Sequence, residues 1–263
     1  MIRKIELPLL VISFLSVAFI ADNKSTPNPL AKTGFAFVEL FTSEGCSSCP
    51  PADALLAKIE KENQNKAVYL LAFHVDYWDR LGWKDSFSSP KFSARQNQYA
   101  DWLNLKTVYT PQMVVNGTKE FVGLEESILR NSIKTELAKP TVANLQISLE
   151  KSSKNSLTIN YNTDRQTDGY MLAVALVTAN ATNQVLKGEN KGKTLTHVQI
   201  VRQFESFPLQ GKTNGAVNIQ LKQLNEQMPS ELIAFLQDNK TGRITAATRL
   251  NDLSAVQLIH KSR

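Results

Sequence analysis

A chain of 263 residues with 42% hydrophobic and 8% aromatic side chains has room for two folded domains, and its composition excludes an intrinsically disordered polymer. The formal net charge of +6 comes from Lys and Arg scattered along the chain rather than massed in a stripe, which argues against a nucleic-acid partner. The only two cysteines, Cys46 and Cys49, rule out a multi-disulfide framework.

Residues 1–21 read as a secretory signal peptide. Arg3 and Lys4 precede an apolar run over residues 7–20, interrupted by Pro8, Ser13 and Ser16. Ser16-Val17-Ala18 fits a small-x-small cleavage site, and polar Asp22-Asn23-Lys24 follows. The run is short for a membrane span. A periplasmic or secreted location is therefore expected, with no stable membrane insertion after signal cleavage. Residues 22–33 carry Pro27 and Pro29 and read as a linker.

The first domain is expected over residues 34–139. Residues 35–41 form an apolar run that predicts a buried strand, broken at 42–45. Cys46-Ser47-Ser48-Cys49 comes next, then Pro50-Pro51, which suits the first turn of a helix continuing to about residue 65. A second strand is expected at 67–75. Residues 76–89 make a loop carrying Tyr77, Trp78, Trp83 and Phe87. Ser89 before Pro90 reads as an N-cap, and Phe92, Arg95, Gln96, Tyr99 and Trp102 fall at helical spacing over 91–104. Tyr109-Thr110-Pro111 leads into a hairpin of strands 112–115 and 119–122, turned at Asn116-Gly117. A last helix spans 124–138, and Pro140 closes the domain. Strand–helix–strand units of this kind predict parallel pairing.

Beyond Pro140 the elements change class. Seven strands are expected at 142–149, 156–161, 171–179, 194–204, 216–221, 232–237 and 244–250, with a short helix or loop at 223–230. Polar or Gly- and Asn-rich turns separate most of them. This pattern predicts an all-β antiparallel sandwich over residues 140–263. The expected fold class is thus an α/β domain followed by a separate sandwich.

The CxxC carries the chemistry. A three-residue spacing gives too short a ring to stabilise a protein of this size, about 2 kcal/mol on the loop-entropy model. At a helix start the first cysteine would face unpaired N–H groups and the positive dipole end, lowering its pKa. Cys46 is then the nucleophile and Cys49 the resolving thiol. No second CxxC is present and the three histidines are spread along the chain, so neither a metal nor another cofactor is expected. His74 and Asp76 end the second strand, at the sheet end where ligands gather, and they read either as the rim of the site or as packing residues. Trp78, Trp83 and Phe87 read equally as an apolar groove for a flexible partner or as a plug for their own loop. Asp79, Arg80, Asp85 and Arg95 are expected to form a polar network within that loop. His197 reads mainly as a core or interface histidine.

Strand, CxxC-Pro, helix and a later Thr-Pro before a hairpin resemble the thioredoxin superfamily over residues 34–139. The resemblance implies that Pro111 is cis and lies across from the CxxC, with Thr110 placed to bond a substrate backbone. It also sets Glu39, one residue out of the usual spacing, near the buried acid that serves the resolving cysteine; Glu39 reads either as that acid or as a strand-end surface acid. The strings VELFTSEGCSSCPPAD (38–53), HVDYWDRLGWKDSFSSPKFSARQNQYA (74–100), YTPQMVVNG (109–117) and GENKGKTLTHVQIVR (188–202) are similar to an uncharacterised family of secreted bacterial thioredoxin-like proteins, a domain of unknown function. Two departures from better-known thioredoxins stand out. Gly45 replaces the usual aromatic, and Ser47-Ser48 brings neither ring nor charge, so redox direction is not implied. The expected activity is exported thiol–disulfide exchange. Its partners would be protein thiols or disulfides, a membrane redox protein among them. A binding module with a vestigial CxxC and a redox sensor are the rival readings.

Overall fold

The computed structural model describes residues 34–153, 156–221, 230–251 and 253. The expected signal peptide and linker, and most of the 223–230 connection, lie outside the described residues.

The helices begin and end where their local chemistry dictates. Helix α1 (Pro50–Glu62) has prolines in its first turn and buries Ala52, Asp53, Leu55, Leu56 and Ile59 along one face. In α2 (Pro90–Leu103) the Ser89 hydroxyl accepts the Lys91 N–H, and Asn104 ends the helix in the left-handed region. Helix α3 (Glu126–Ala138) buries Leu129, Ser132 and Ile133 and stops just short of Pro140.

Eleven strands occur among the described residues: β1 (Ala36–Thr42), β2 (Val68–His74), β3 (Gln112–Val115), β4 (Lys119–Val122), β5 (Leu145–Ser153), β6 (Ser156–Thr163), β7 (Tyr170–Gln184), β8 (Thr194–Pro208), β9 (Asn214–Gln220), β10 (Glu231–Asp238) and β11 (Ile244–Leu250). Asn116 and Gly117 both take positive φ, 47° and 68°, and turn β3 into β4 as the Asn-Gly pair requires. A Cβ added at Gly117 would also lie 1.9 Å from the Gly242 carbonyl oxygen. Gly117→Ala is therefore expected to destabilise the protein by roughly 1–3 kcal/mol, read as a lower urea midpoint.

The expected fold class, an α/β thioredoxin-like domain followed by a separate antiparallel sandwich, does not form. The strands assemble into one mixed eight-stranded sheet, ordered β11-β10-β7-β8-β2-β1-β3-β4, and a three-stranded sheet, β5-β6-β9. The junction is β8. It is fifteen residues long, pairs antiparallel with β7, and also meets β2 in parallel at Ala72↔Ile200. Strands from the second half thereby extend the sheet begun by the first.

Packing explains why this arrangement wins. One core holds Phe37, Phe41, Phe73, Phe92 and Tyr99 from the first half with Ala175, Val201, Phe204 and Phe235 from the second. Phe37 and Phe235 have ring centroids 4.4 Å apart, and Phe73 meets Phe204 edge-on at 5.5 Å. This face lies under α2. On the opposite face α1 and α3 cover Val38, Leu40 and Met113, and the small sheet covers Leu172, Val174, Leu232 and Leu236. Strands β7 and β10 are thus buried on both faces, which no strand with one solvated side tolerates.

Candidate functional site

The redox loop follows β1. Cys46 donates its N–H to the Ser43 carbonyl, and Cys49 donates to that of Cys46 (both 3.2 Å). Cys46 and Cys49 form a disulfide, with Cα atoms 5.4 Å apart. Cys49, not Cys46, is the N-cap of α1. This corrects the expectation that the first cysteine faces free helix-end donors. Pro50 and Pro51 have no N–H, and the next two donors, Ala52 and Asp53, already bond the Cys49 carbonyl at 2.9 and 3.1 Å. Cys46 Sγ lies 3.4 Å from the Ser48 hydroxyl and 3.9 Å from the Thr110 carbonyl oxygen. Both cysteines are also fully buried, each 0% exposed, whereas Ser47 and Ser48 between them face solvent.

Two structures flank the redox loop. The first is local. The Thr110–Pro111 peptide is cis, and the Thr110 hydroxyl accepts the Trp78 indole N–H at 2.8 Å. Trp78 packs against Gly45, where an added Cβ would come within 3.0 Å of the Trp78 Cβ. The lack of a side chain at 45 is thus what admits the close approach of the Trp78 Cβ and carbonyl. The Pro111 carbonyl accepts the Gly123 N–H, and Gly123 fits between Pro111 and Ala52 of α1. The second cover comes from the β7–β8 connection, residues 185–193. Asn190 is buried and donates both amide hydrogens, to the carbonyls of Glu44 and Cys46 (2.9 Å each). Glu189 accepts the Ser47 N–H at 2.9 Å.

Beneath the loop lies a buried charged cluster that flanks the CxxC on both sides. Glu44 stands two residues before Cys46 and Asp53 four after Cys49; both are buried. His197 of β8 sits between them, Nε2 at 3.4 Å from Glu44 and Nδ1 at 3.6 Å from Asp53. These are ion-pair contacts, since neither ring nitrogen has hydrogen-bond geometry. Burial opposes charge on His197, but Asp53 and Glu44 outweigh it and hold the imidazole pKa up at about 10. Glu44 is held further by the Trp83 indole (2.8 Å) and the Asn183 amide (2.9 Å), and Asp53 by the Thr42 hydroxyl (3.1 Å).

His74 lies beside His197, ring centroids 4.7 Å apart, and its Nδ1 bonds Asp85 at 2.7 Å. Its Nε2 has no hydrogen-bond partner. Burial pushes Asp85 up, but His74 and the N–H groups of Glu44 and Phe87 outweigh that and hold its carboxyl below the ordinary value. Despite these side chains, no group of three or more His, Cys, Asp or Glu among the described residues is set to hold a metal ion.

The remaining expected site residues divide. Trp78, Thr110 and Pro111 gather at the disulfide, with the Thr110 hydroxyl engaged by Trp78. His74 reaches the cluster below. Asp76 does not; its carboxylate accepts the Ser93 hydroxyl at 2.5 Å and ties the loop to α2. Glu39 points to the sheet face opposite α1. There it accepts Arg95 Nε at 2.6 Å and the Tyr99 hydroxyl, so it belongs to the α2 network and not to Cys49. Arg95 is accordingly withdrawn from the loop network, which Asp79, Asp85 and Ser88 form among themselves. Trp78 and Trp83 act as bonded covers, not as an open groove. Sequence reasoning missed Glu44, Asp53, Glu189 and Asn190. The one available signal was the pair of acids bracketing the CxxC.

Fold and site together define a two-sheet protein with a closed CxxC disulfide seated over a buried charge cluster. The family model described as "Protein of unknown function (DUF1223)" matches residues 37–237, and the chain belongs to that family. Its description names neither export nor a redox activity. Protein AGR_C_4864 from Agrobacterium tumefaciens, known from a crystal structure, is 26% identical, with 83% of this chain and 95% of that one covered and a TM-score of 0.61. A domain of the outer membrane lipoprotein Omp28 from Porphyromonas gingivalis is 14% identical over 41% of this chain and 86% of that one; its TM-score of 0.27 bears on neither fold nor function. No curated protein matches the chain.

Proposed function

We propose that the protein is an exported thiol–disulfide oxidoreductase whose Cys46–Cys49 pair exchanges with thiols or disulfides of other proteins. The observation that carries this is the disulfide itself. The chain's only cysteines are joined across three residues, a link that adds little to stability, beside the cis Thr110–Pro111 peptide. The reading rests on this local arrangement and not on an overall thioredoxin-like plan.

In the reducing direction, the Cys46 thiolate of the dithiol form attacks a partner disulfide, whose S–S bond breaks with its electron pair on one partner sulfur; the Cys49 thiolate then attacks Cys46 Sγ, closing the Cys46–Cys49 disulfide and releasing the second partner sulfur as a thiolate, and both partner sulfurs take up protons. In the oxidising direction, a partner thiolate attacks Cys46 Sγ, and the Cys46–Cys49 bond breaks with its electron pair on Cys49, which takes a proton. A second partner thiolate then closes the partner's disulfide and releases Cys46. Cys49→Ser, prepared reduced, cannot complete release from Cys46. It is expected to accumulate mixed disulfides with exported proteins, visible as dithiothreitol-sensitive bands; their absence in oxidising and reducing hosts alike would refute exchange.

The second reading, a redox sensor, draws on the burial of both sulfurs and on the bonds from Asn190 and Glu189 to the CxxC backbone. Under it the redox state of the pair changes how the β7–β8 connection docks, and no mixed disulfides with substrates build up.

A further inference from the structure

The tip of the β7–β8 connection is built differently from the rest of the cover. Among residues 186–193, Asn190 alone is buried. Leu186 stands 59% exposed, and Lys187, Lys191 and Lys193 face solvent. Gly188 and Gly192 bracket the contact segment at φ 77° and 84°, conformations that cost glycine little and other residues more. An added Cβ at Gly192 would meet nothing within 4 Å. Below the tip the neck is closed by Val185 N–H to the Lys193 carbonyl (2.9 Å) and Gly192 N–H to the Val185 carbonyl (2.8 Å). Lys193 Nζ donates to Asn190 Oδ1 at 2.9 Å, which turns both amide hydrogens of Asn190 toward the redox loop.

The tip therefore holds the redox loop by three hydrogen bonds, to Glu44, Cys46 and Ser47, and apart from Asn190 its residues are exposed, with Gly188 lying beside Trp83. The opposite cover, Trp78, packs against the aromatic core. Segments with few buried apolar contacts open at the lowest free energy. A thiolate must reach Cys46 Sγ along the line of the S–S bond, and the sulfur is 0% exposed.

We infer that residues 186–193 are a gate over the Cys46–Cys49 disulfide, with Asn190 as its latch, and that the gate lifts before any outside dithiol can attack. This deepens the exchange reading and rests on it for its biological purpose. Lifting frees the Cys46 carbonyl and the Ser47 N–H together, the two backbone groups that an extended partner chain would bond in place of Asn190 and Glu189. The partner is thus a thiol-bearing polypeptide that presents its own backbone beside its sulfur.

The test is the rate at which the oxidised full-length protein is reduced by excess dithiothreitol, read by alkylation of the two freed thiols and mass. Asn190→Ala is expected to reduce about tenfold faster than the unmodified protein, the scale set by two neutral hydrogen bonds. Glu189→Ala, at an exposed position that folding tolerates, is expected to gain about threefold. Hydrogen exchange at Ser47 in the unmodified protein should be faster than global unfolding allows. Wild-type reduction rates in folded Glu189→Ala, or Ser47 exchange only through global unfolding, would overturn the gate. Failure of Cys49→Ser to trap substrates would instead defeat the exchange reading and leave these rates as they are.

Discussion

Arg95→Ala is expected to lower the free energy of unfolding by about 3–5 kcal/mol. The Arg95 and Glu39 side chains are 2% and 0% exposed, so removing the cation strands a carboxylate where no water can solvate it. The guanidinium also donates to Gln237 and Tyr99 and lies 4.5 Å over the Phe204 ring. These contacts join α2 to strands from both halves of the chain. Burial opposes charge on Arg95, but Glu39 outweighs it and raises the pKa further. Burial likewise pushes the Tyr99 phenol far up, with Glu39 adding to it, so Tyr99 stays a donor. Pairing Arg95→Met with Glu39→Gln should recover much of the loss, because the double variant leaves no lone charge. Urea unfolding of the three variants settles the size, and a loss below 1 kcal/mol for Arg95→Ala would contradict the ion pair. The reduction potential of the disulfide should not move in Glu39→Gln, since Glu39 faces away from α1.

His197→Gln is expected to show the second largest effect, and a pH-dependent one. The imidazolium separates Glu44 from Asp53, and the surrounding groups are His74, bonded to Asp85, and the Phe87 ring. Its pKa rises from 6.5 to about 10 on folding. A raised pKa means that the folded state binds the proton more tightly than the unfolded chain. The resulting stability is complete below pH 6.5 and is lost progressively as pH climbs through about 10. Wild type should therefore exceed His197→Gln by about 3–5 kcal/mol at pH 6, with the gap narrowing steadily toward pH 10. Urea midpoints of both proteins at pH 6, 8 and 10 measure it. A gap that stays constant across that range would mean that His197 is neutral in the folded protein.

Much of the local structure was legible. The strands at 112–115 and 119–122 and their Asn-Gly turn form where the residues place them, as does the cap at Ser89. The error lay in assembly. The unbroken apolar runs of β7 and β10 are the mark of strands covered on both sides, yet the sandwich reading assumed one solvated side. What covers them comes from distant sequence, such as Phe37 against Phe235, and periodicity within a window carries no such information. The place of Glu39 follows from strand parity. It shares strand parity with Phe37 and Phe41, so it had to lie with them on the face away from α1. The CxxC was legible as a reactive spacing, whereas its burial was not, because the residue that closes it, Asn190, lies in a hairpin tip far along the chain.

The parallel contact of β2 with β8 also sets an order of events during synthesis. When the first half has emerged, β2 has β1 on one side and nothing on the other, and the facing aromatic residues have no Phe204 or Phe235 to receive them. That nascent half presents a raw strand edge and a greasy face, an invitation to aggregate until the later strands arrive. Such remote pairing folds slowly. Cutting the chain at Pro140 is consequently expected to yield a fragment that aggregates, not a working half.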